Sequence, residues 1–219
     1  MLDAPVGRQA AWAALLARLE MRTSSVVLIA GPPGSGRTYL LARIGEAAEG
    51  MGYRAVGCDD PIVLERTTRL IDVRRVLAAL LGREDDAPGG NEDEQAVFAL
   101  LDGARPAIVA IDGYSPSTTL AMWFTGRLIP HLHTSQAPLV LVITDRVEAL
   151  AGLCEIADEV IELGPLDRQE VSRHLRSIGR GLRPPLSDEE VAAYCEAAAS
   201  DPSVLTALGE VFSVLAAGG

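Results

Sequence analysis

Eight residues carry the clearest chemistry in this chain: Gly31-Pro32-Pro33-Gly34-Ser35-Gly36-Arg37-Thr38. The glycines permit backbone angles closed to other residues. The loop can therefore wrap a phosphate with its N–H groups, while a following helix aims its positive end at the anion. Val26-Val27-Leu28-Ile29-Ala30 precedes the loop as an apolar strand, and Tyr39-Leu40-Leu41-Ala42-Arg43-Ile44 follows in helical period. Strand, glycine-rich loop and helix is the context that G-x-x-x-x-G-K-[ST] requires. The departure is Arg37, where the pattern has lysine. A guanidinium also binds phosphate, but its planar fork is bulkier and aims differently. Binding then survives more easily than the geometry of a transition state. Thr38 offers a hydroxyl to Mg2+.

A second carboxylate-bearing stretch is Ala107-Ile108-Val109-Ala110-Ile111-Asp112. An apolar run ending in aspartate places a carboxylate at the C-terminal edge of a buried parallel strand, where it can hold Mg2+ opposite Thr38. Many ATPases put a glutamate next, to activate water. Here the next residues are Gly113, Tyr114 and Ser115, so no general base stands there. Such a base contributes about 10²–10⁴ in rate. A third edge is Pro138 to Ile143, ending in Thr144-Asp145-Arg146, which suits sensing of a terminal phosphate.

The elements that must position these residues follow from periodicity. Trp12, Leu15, Leu16 and Leu19 mark an N-terminal helix. Strands are expected at 25–30, 53–58, 107–111, 138–143 and 160–163. Helices are expected from the loop to about Glu49, over 62–82, from Glu94 to Leu101 and over 118–133. Arg66, Arg69, Arg74 and Arg75 fall on the second of these, read as a solvated surface or a basic partner-binding face. Residues 84–94 read as a flexible acidic loop. Asp167-x-x-Glu170 and Ser187-x-x-Glu190 read as capping boxes opening helices. Ser200-Asp201-Pro202 opens a last helix carrying Leu205, Leu208, Phe212 and Leu215.

The fold expectation is an α/β three-layer sandwich with a five-stranded, mainly parallel sheet. It divides into a core over 1–164 and a small C-terminal helical lid over 165–219.

The 219 residues suffice for one such domain plus an appendage, and 48% apolar content supports a core that is aliphatic, since aromatics are 4%. Net charge is −11, which argues against coating nucleic acid. All 19 basic residues are arginine. Arg37 therefore has two readings, drift toward arginine or selection for binding without fast turnover. Cys58, Cys154 and Cys195 show no metal or redox spacing and read as buried thiols; His131 and His133 suggest no metal site. No basic leader opens the chain, and no apolar run reaches the ~20 residues of a membrane span, so a soluble cytoplasmic protein is expected, without membrane insertion.

Laid out in order, these residues resemble the AAA+-like P-loop NTPases, and within them the signal-transduction branch called STAND. Pro5-Val6-Gly7-Arg8 looks like the N-terminal box near the adenine. Gly31 to Thr38 matches Walker A except at Arg37, and Ile108 to Asp112 matches Walker B without its acidic follower. Ile143-Thr144-Asp145-Arg146 is similar to the sensor motif. Pro202 sits where the branch has Gly-x-Pro, without the glycine. The resemblance implies ATP or ADP as ligand, with Mg2+. Gly31, Gly34, Ser35, Gly36, Arg37, Thr38 and Tyr39 would hold the phosphates, and Val6, Gly7 and Pro202 would border the adenine. Thr38 and Asp112 would hold Mg2+, and Arg146, with Thr144, would sense the γ-phosphate.

The resemblance also implies a switch in which ADP locks lid to core and ATP exchange releases it. Arg37 and Gly113 favour a regulatory module with weak or absent hydrolysis, acting through a protein partner and without direct nucleic-acid binding. An active Mg-dependent ATPase and a degenerate scaffold that binds no nucleotide are the alternatives. The chain ends without an effector domain, so the partner is a separate protein or the chain is part of a longer one.

Overall fold

In the computed structural model, described over residues 5–66, 68–82, 93–134, 137–182, 184–200 and 203–217, a parallel sheet lies between two layers of helices. Its strands are β1 (Ser25–Ala30), β2 (Arg54–Val56), β3 (Ile62–Leu64), β4 (Ala107–Tyr114), β5 (Leu139–Asp145) and β6 (Glu159–Glu162). The order is β2-β4-β5-β1-β6, with β3 also on β4. β1, β4 and β5 are continuous apolar runs buried on both faces, as central strands of a parallel sheet must be.

The sheet thus has six strands, not five. β2 pairs with the first half of β4, and β3 with its end, where the register shifts between Ile62 and Leu64. Two short strands therefore share one edge. The helix expected over 62–82 begins only at Leu70, because Ile62–Leu64 is drawn into the sheet.

α1 (Gln9–Glu20) and α2 (Arg37–Gly50) cover one face, burying Trp12, Leu15, Leu19, Leu40, Leu41 and Ile44. α3 (Leu70–Leu80), α4 (Asp93–Ala104), the helix over 118–132 and α7 (Val147–Leu150) cover the other. The helix over 118–132 is α5 (Thr118–Trp123), a π turn (Phe124–Leu128) and α6 (Ile129–Leu132).

Three expectations change here. Arg74 does not lie on a solvated face: it is buried and paired with Asp93 at 2.5 Å. Asp93, read as loop, opens α4 one residue before the helix start expected at Glu94, while the rest of the acidic stretch, 84–92, lies outside the described residues. Of the thiols, Cys58 and Cys195 are buried but Cys154 is exposed.

Beyond Leu163 the chain forms α8 (Arg168–Ile178), α9 (Asp188–Ser200) and α10 (Ser203–Ala217). Asp167 caps α8 by accepting from the N–H groups of Gln169 and Glu170. Ser187 and Glu190 close a reciprocal capping box. Val171, Leu175, Val191, Cys195, Ala198 and Leu205 form a core of their own, against which Val6 and Leu166 pack.

Candidate functional site

Sheet register assembles the site. Asp112 on β4 stands beside Thr144 on β5, and Ala30 on β1 beside Asp145 on β5. Residues in register in a parallel pair share a face. The Asp112 carboxylate accordingly accepts from the Thr144 hydroxyl on one oxygen, and from Thr38 Oγ1 on the other at 2.5 Å. Thr144 is fully buried, so it fixes the carboxylate from below. Thr38 reaches it from the first turn of α2. A hydroxyl and a carboxylate at that spacing are hard oxygen donors of the kind Mg2+ takes.

The loop between β1 and α2 is tightly built. Gly31 N–H donates to the Asp145 carbonyl at 3.1 Å, which ties the loop to the end of β5. A Cβ on Gly31 would sit 2.6 Å from Ser35 Oγ and 2.9 Å from the Leu163 carbonyl, so no larger residue fits. Ser35 is buried, its hydroxyl has no partner among the described residues, and its N–H closes a turn onto Pro32. Gly34 and Gly36 adopt positive φ, and Gly36 caps α2 in the left-handed conformation. The first turn of α2 (Arg37, Thr38, Tyr39) leaves N–H groups without intrahelical acceptors, as any helix start does. The loop is thus a cradle that a side chain would fill, lined by N–H groups.

Arg37 turns back on this cradle. Its Nη1 donates to the Gly31 carbonyl at 2.6 Å. The cation therefore bridges the two ends of the loop. Arg146 is exposed one residue beyond β5, where it opens α7, and its guanidinium has no partner among the described residues. Gly113 has φ +81° inside β4, so the strand is kinked directly after Asp112 before it pairs again with β3 at Tyr114. The missing acidic side chain is thus matched by a backbone that would disfavour one.

Arg8, quoted from the sequence only as the end of the N-terminal box, has a role that sequence reasoning did not assign. It is 7% exposed, and its guanidinium donates to the carbonyls of Ser35 (2.7 Å), Gly164 (2.8 Å) and Gly7 (3.1 Å). One side chain thus holds together the N-terminal turn, the phosphate loop and the segment leading into α8. Burial pulls its pKa down, and the nearby Glu170 carboxylate opposes that shift. The available signal was an arginine directly after Val6-Gly7, in a turn before a helix. Val6 packs on the α8–α10 core, and an added Cβ on Gly7 would meet Leu166 and Glu170. Pro202 lies outside the described residues.

Among the described residues, no helix is long and apolar enough to cross a membrane. No curated protein matches the chain at a significant level. Solved structures do. Cdc6p from Pyrobaculum aerophilum matches at TM-score 0.57 and 14% identity, over 78% of this chain and 49% of that one. A point mutant of RuvB from Thermotoga maritima matches at 0.59 and 16%, over 94% and 62%. A Pyrococcus horikoshii Signal Transduction ATPase with Numerous Domains (STAND) protein, with a tetratricopeptide repeat sensor, matches at 0.52 and 16%, over 93% and 29%. The chain therefore spans about half to three-fifths of the first two, and under a third of the last. At these identities the likeness is one of fold. The AAA ATPase domain model matches residues 4–184. By that match, over most of its length, the chain belongs to the AAA ATPase domain family and carries its α/β P-loop fold.

Proposed function

We propose that this chain is a nucleotide-binding regulatory module that takes ATP or ADP with Mg2+, turns it over slowly or not at all, and acts through a protein partner. The observation that carries the reading is the Asp112 carboxylate held between Thr38 and Thr144 beneath the glycine loop. Thr38 and Asp112 are the residues for Mg2+. N–H groups from Gly34 to Tyr39, with Gly31 and Ser35 shaping the cradle, are those for the phosphates. When bound, Mg2+ supplies charge neutralisation to the phosphate oxygens. Val6, Gly7 and Pro202 are the residues for the base, and Arg146 the one for the outermost phosphate.

Slow turnover follows from two residues. Arg37 is engaged with the Gly31 carbonyl, and Gly113 supplies no base. Family membership and the STAND-type neighbour support the nucleotide reading and a role built on protein contacts.

The test is calorimetric titration of the purified, nucleotide-stripped protein with Mg-ATP and Mg-ADP, followed by a phosphate-release assay. Micromolar or tighter binding with turnover near background is the expected result. Rapid release would make the protein a working ATPase. Absence of binding to either nucleotide would sink the reading.

A further inference from the structure

The two carboxylate oxygens of Asp112 meet different surroundings. One accepts from Thr38 Oγ1 at 2.5 Å, and Thr38 is exposed at the start of α2. The other accepts from the Thr144 hydroxyl, and Thr144 is 0% exposed. Asp112 itself is half-buried. The carboxylate therefore lies across the boundary of the site, with one oxygen turned inward and one outward. Sheet register holds it there, because Asp112 on β4 and Thr144 on β5 are ladder partners. Both strands have neighbours on either side, so the pair does not sit at a sheet edge.

A threonine hydroxyl carries one proton. That of Thr144 goes to Asp112. A phosphate oxygen that can only accept finds nothing to take from it, and no ligand reaches a side chain without accessible surface. Thr144 therefore bears on the site through Asp112 rather than through the outermost phosphate. A hydroxyl behind a metal-binding carboxylate orients that carboxylate and tunes the ion it takes.

Cations differ in what they ask of a carboxylate. Ca2+ takes about six to eight oxygens, often both from one carboxylate, in flexible geometry. Mg2+ demands a near-octahedral shell, keeps several waters and is held through one or two carboxylates. An Asp112 whose inner oxygen is committed to Thr144 presents one oxygen beside Thr38. We infer that Thr144 is a positioning residue that sets the cation preference of the site: it holds one Asp112 oxygen inward, so that Mg2+ is met by the other alone and Ca2+ is not chelated by both. The inference rests on the nucleotide site proposed above and names the residue that chooses its cation.

The test is calorimetric titration of the purified, nucleotide-stripped protein with ADP in Mg2+, in Ca2+ and in EDTA. ADP has no γ-phosphate, so sensing of that group does not enter. Wild-type protein should bind ADP more tightly with Mg2+ than with Ca2+. Thr144→Val keeps the branched shape and removes the donor, and should lower the Mg2+-to-Ca2+ affinity ratio about tenfold, the lower end of what losing the partner of a metal ligand costs. Thr144→Ser keeps the hydroxyl and should restore most of the ratio. A ratio cancels any uniform loss from a weakened fold, and melting of each protein without ligand checks that the variants fold.

Equal wild-type affinity with the two cations would overturn the inference without any variant. So would a ratio indifferent to Thr144→Val, or one lowered as much by Thr144→Ser, which would assign the effect to packing. Binding of ADP in EDTA separates the failures: ADP binding with an indifferent ratio removes only the role of Thr144, whereas no ADP binding under any condition sinks the nucleotide site and this role with it.

Discussion

Arg37 is tied by its Nη1 to the carbonyl that begins the loop. A lysine there has one compact donor group and no second arm, so it leaves that carbonyl more readily for an incoming phosphate. Arg37→Lys should therefore tighten Mg-ATP binding about tenfold, the worth of one charge-assisted hydrogen bond. Titration calorimetry checks this, and an unchanged affinity would mean the side chain never meets the nucleotide.

Gly113 supports a different prediction. Its φ of +81° costs a residue with a side chain about 1–2 kcal/mol. Gly113→Glu should lower the melting temperature by a few degrees for a domain of this size. It should not raise phosphate release, because the left-handed backbone at 113 aims an added side chain away from the direction a regular strand would give it. A marked gain in turnover would refute that account.

The phosphate loop, Thr38, Asp112 and Thr144 could be read from residue types because each is a local pattern at a strand end. Arg8 could not. Its acceptors lie 27 residues away at Ser35 and 156 away at Gly164, and no local pattern announces an arginine that folds inward. Arg74 misled for the same reason: its partner Asp93 sits in a stretch whose composition reads as loop.

At the scale of elements, long apolar runs found the central strands, and helical period found α1, α2 and the helices after Leu163. The three-residue strand β3 escaped, because the Leu70, Val73 and Leu77 stripe of α3 extends its period backward over Ile62. What drew Ile62–Leu64 into the sheet was the free edge of β4 left beyond short β2, which only tertiary pairing reveals.

The helices α8 to α10 make a further prediction. Burial pushes the His174 imidazole on α8 down from its ordinary value. The folded state therefore holds it neutral where an unfolded chain would protonate it. Its contribution is fully present above about pH 6.5, and is lost as pH falls below that value toward the lowered folded pKa. Hydrogen exchange across α8–α10, corrected for intrinsic rates, should show less protection at pH 5.5 than at 7.5, and His174→Gln should flatten the difference. Equal slopes in the two proteins would assign the sensitivity to other groups.

For the whole molecule, the N-terminal turn, the glycine-rich loop and the Gly164 segment leading into α8 meet at one guanidinium. Replacing Arg8 with methionine keeps much of the stem and removes the donors, stranding the buried carbonyl of Ser35 at about 1–3 kcal/mol and releasing the exposed Gly164 segment. Arg8→Met should therefore unfold at clearly lower denaturant and bind Mg-ADP more weakly. Normal stability with normal affinity would show that the three segments do not depend on the bridge. Linkage makes any such coupling reciprocal: whatever repositions α8 changes affinity at the loop, and nucleotide at the loop biases α8 by the same factor.

The Arg8 bridge also bears on time. On the proposed reading, fastening the Ser35 carbonyl to the Gly164 segment keeps the loop in its formed shape, and the contacts to a seated nucleotide weaken when that shape is lost. Arrival is limited by encounter with a loop already formed, so loss of the bridge lowers the stability of the bound state more than it slows capture. The bridge therefore acts on how long a nucleotide stays rather than on how fast it arrives, and the bound state becomes a clock whose period is set by a side chain that need not touch the ligand. A chase of fluorescent ADP should show Arg8→Met shortening the dwell several-fold, with the capture rate nearly unchanged.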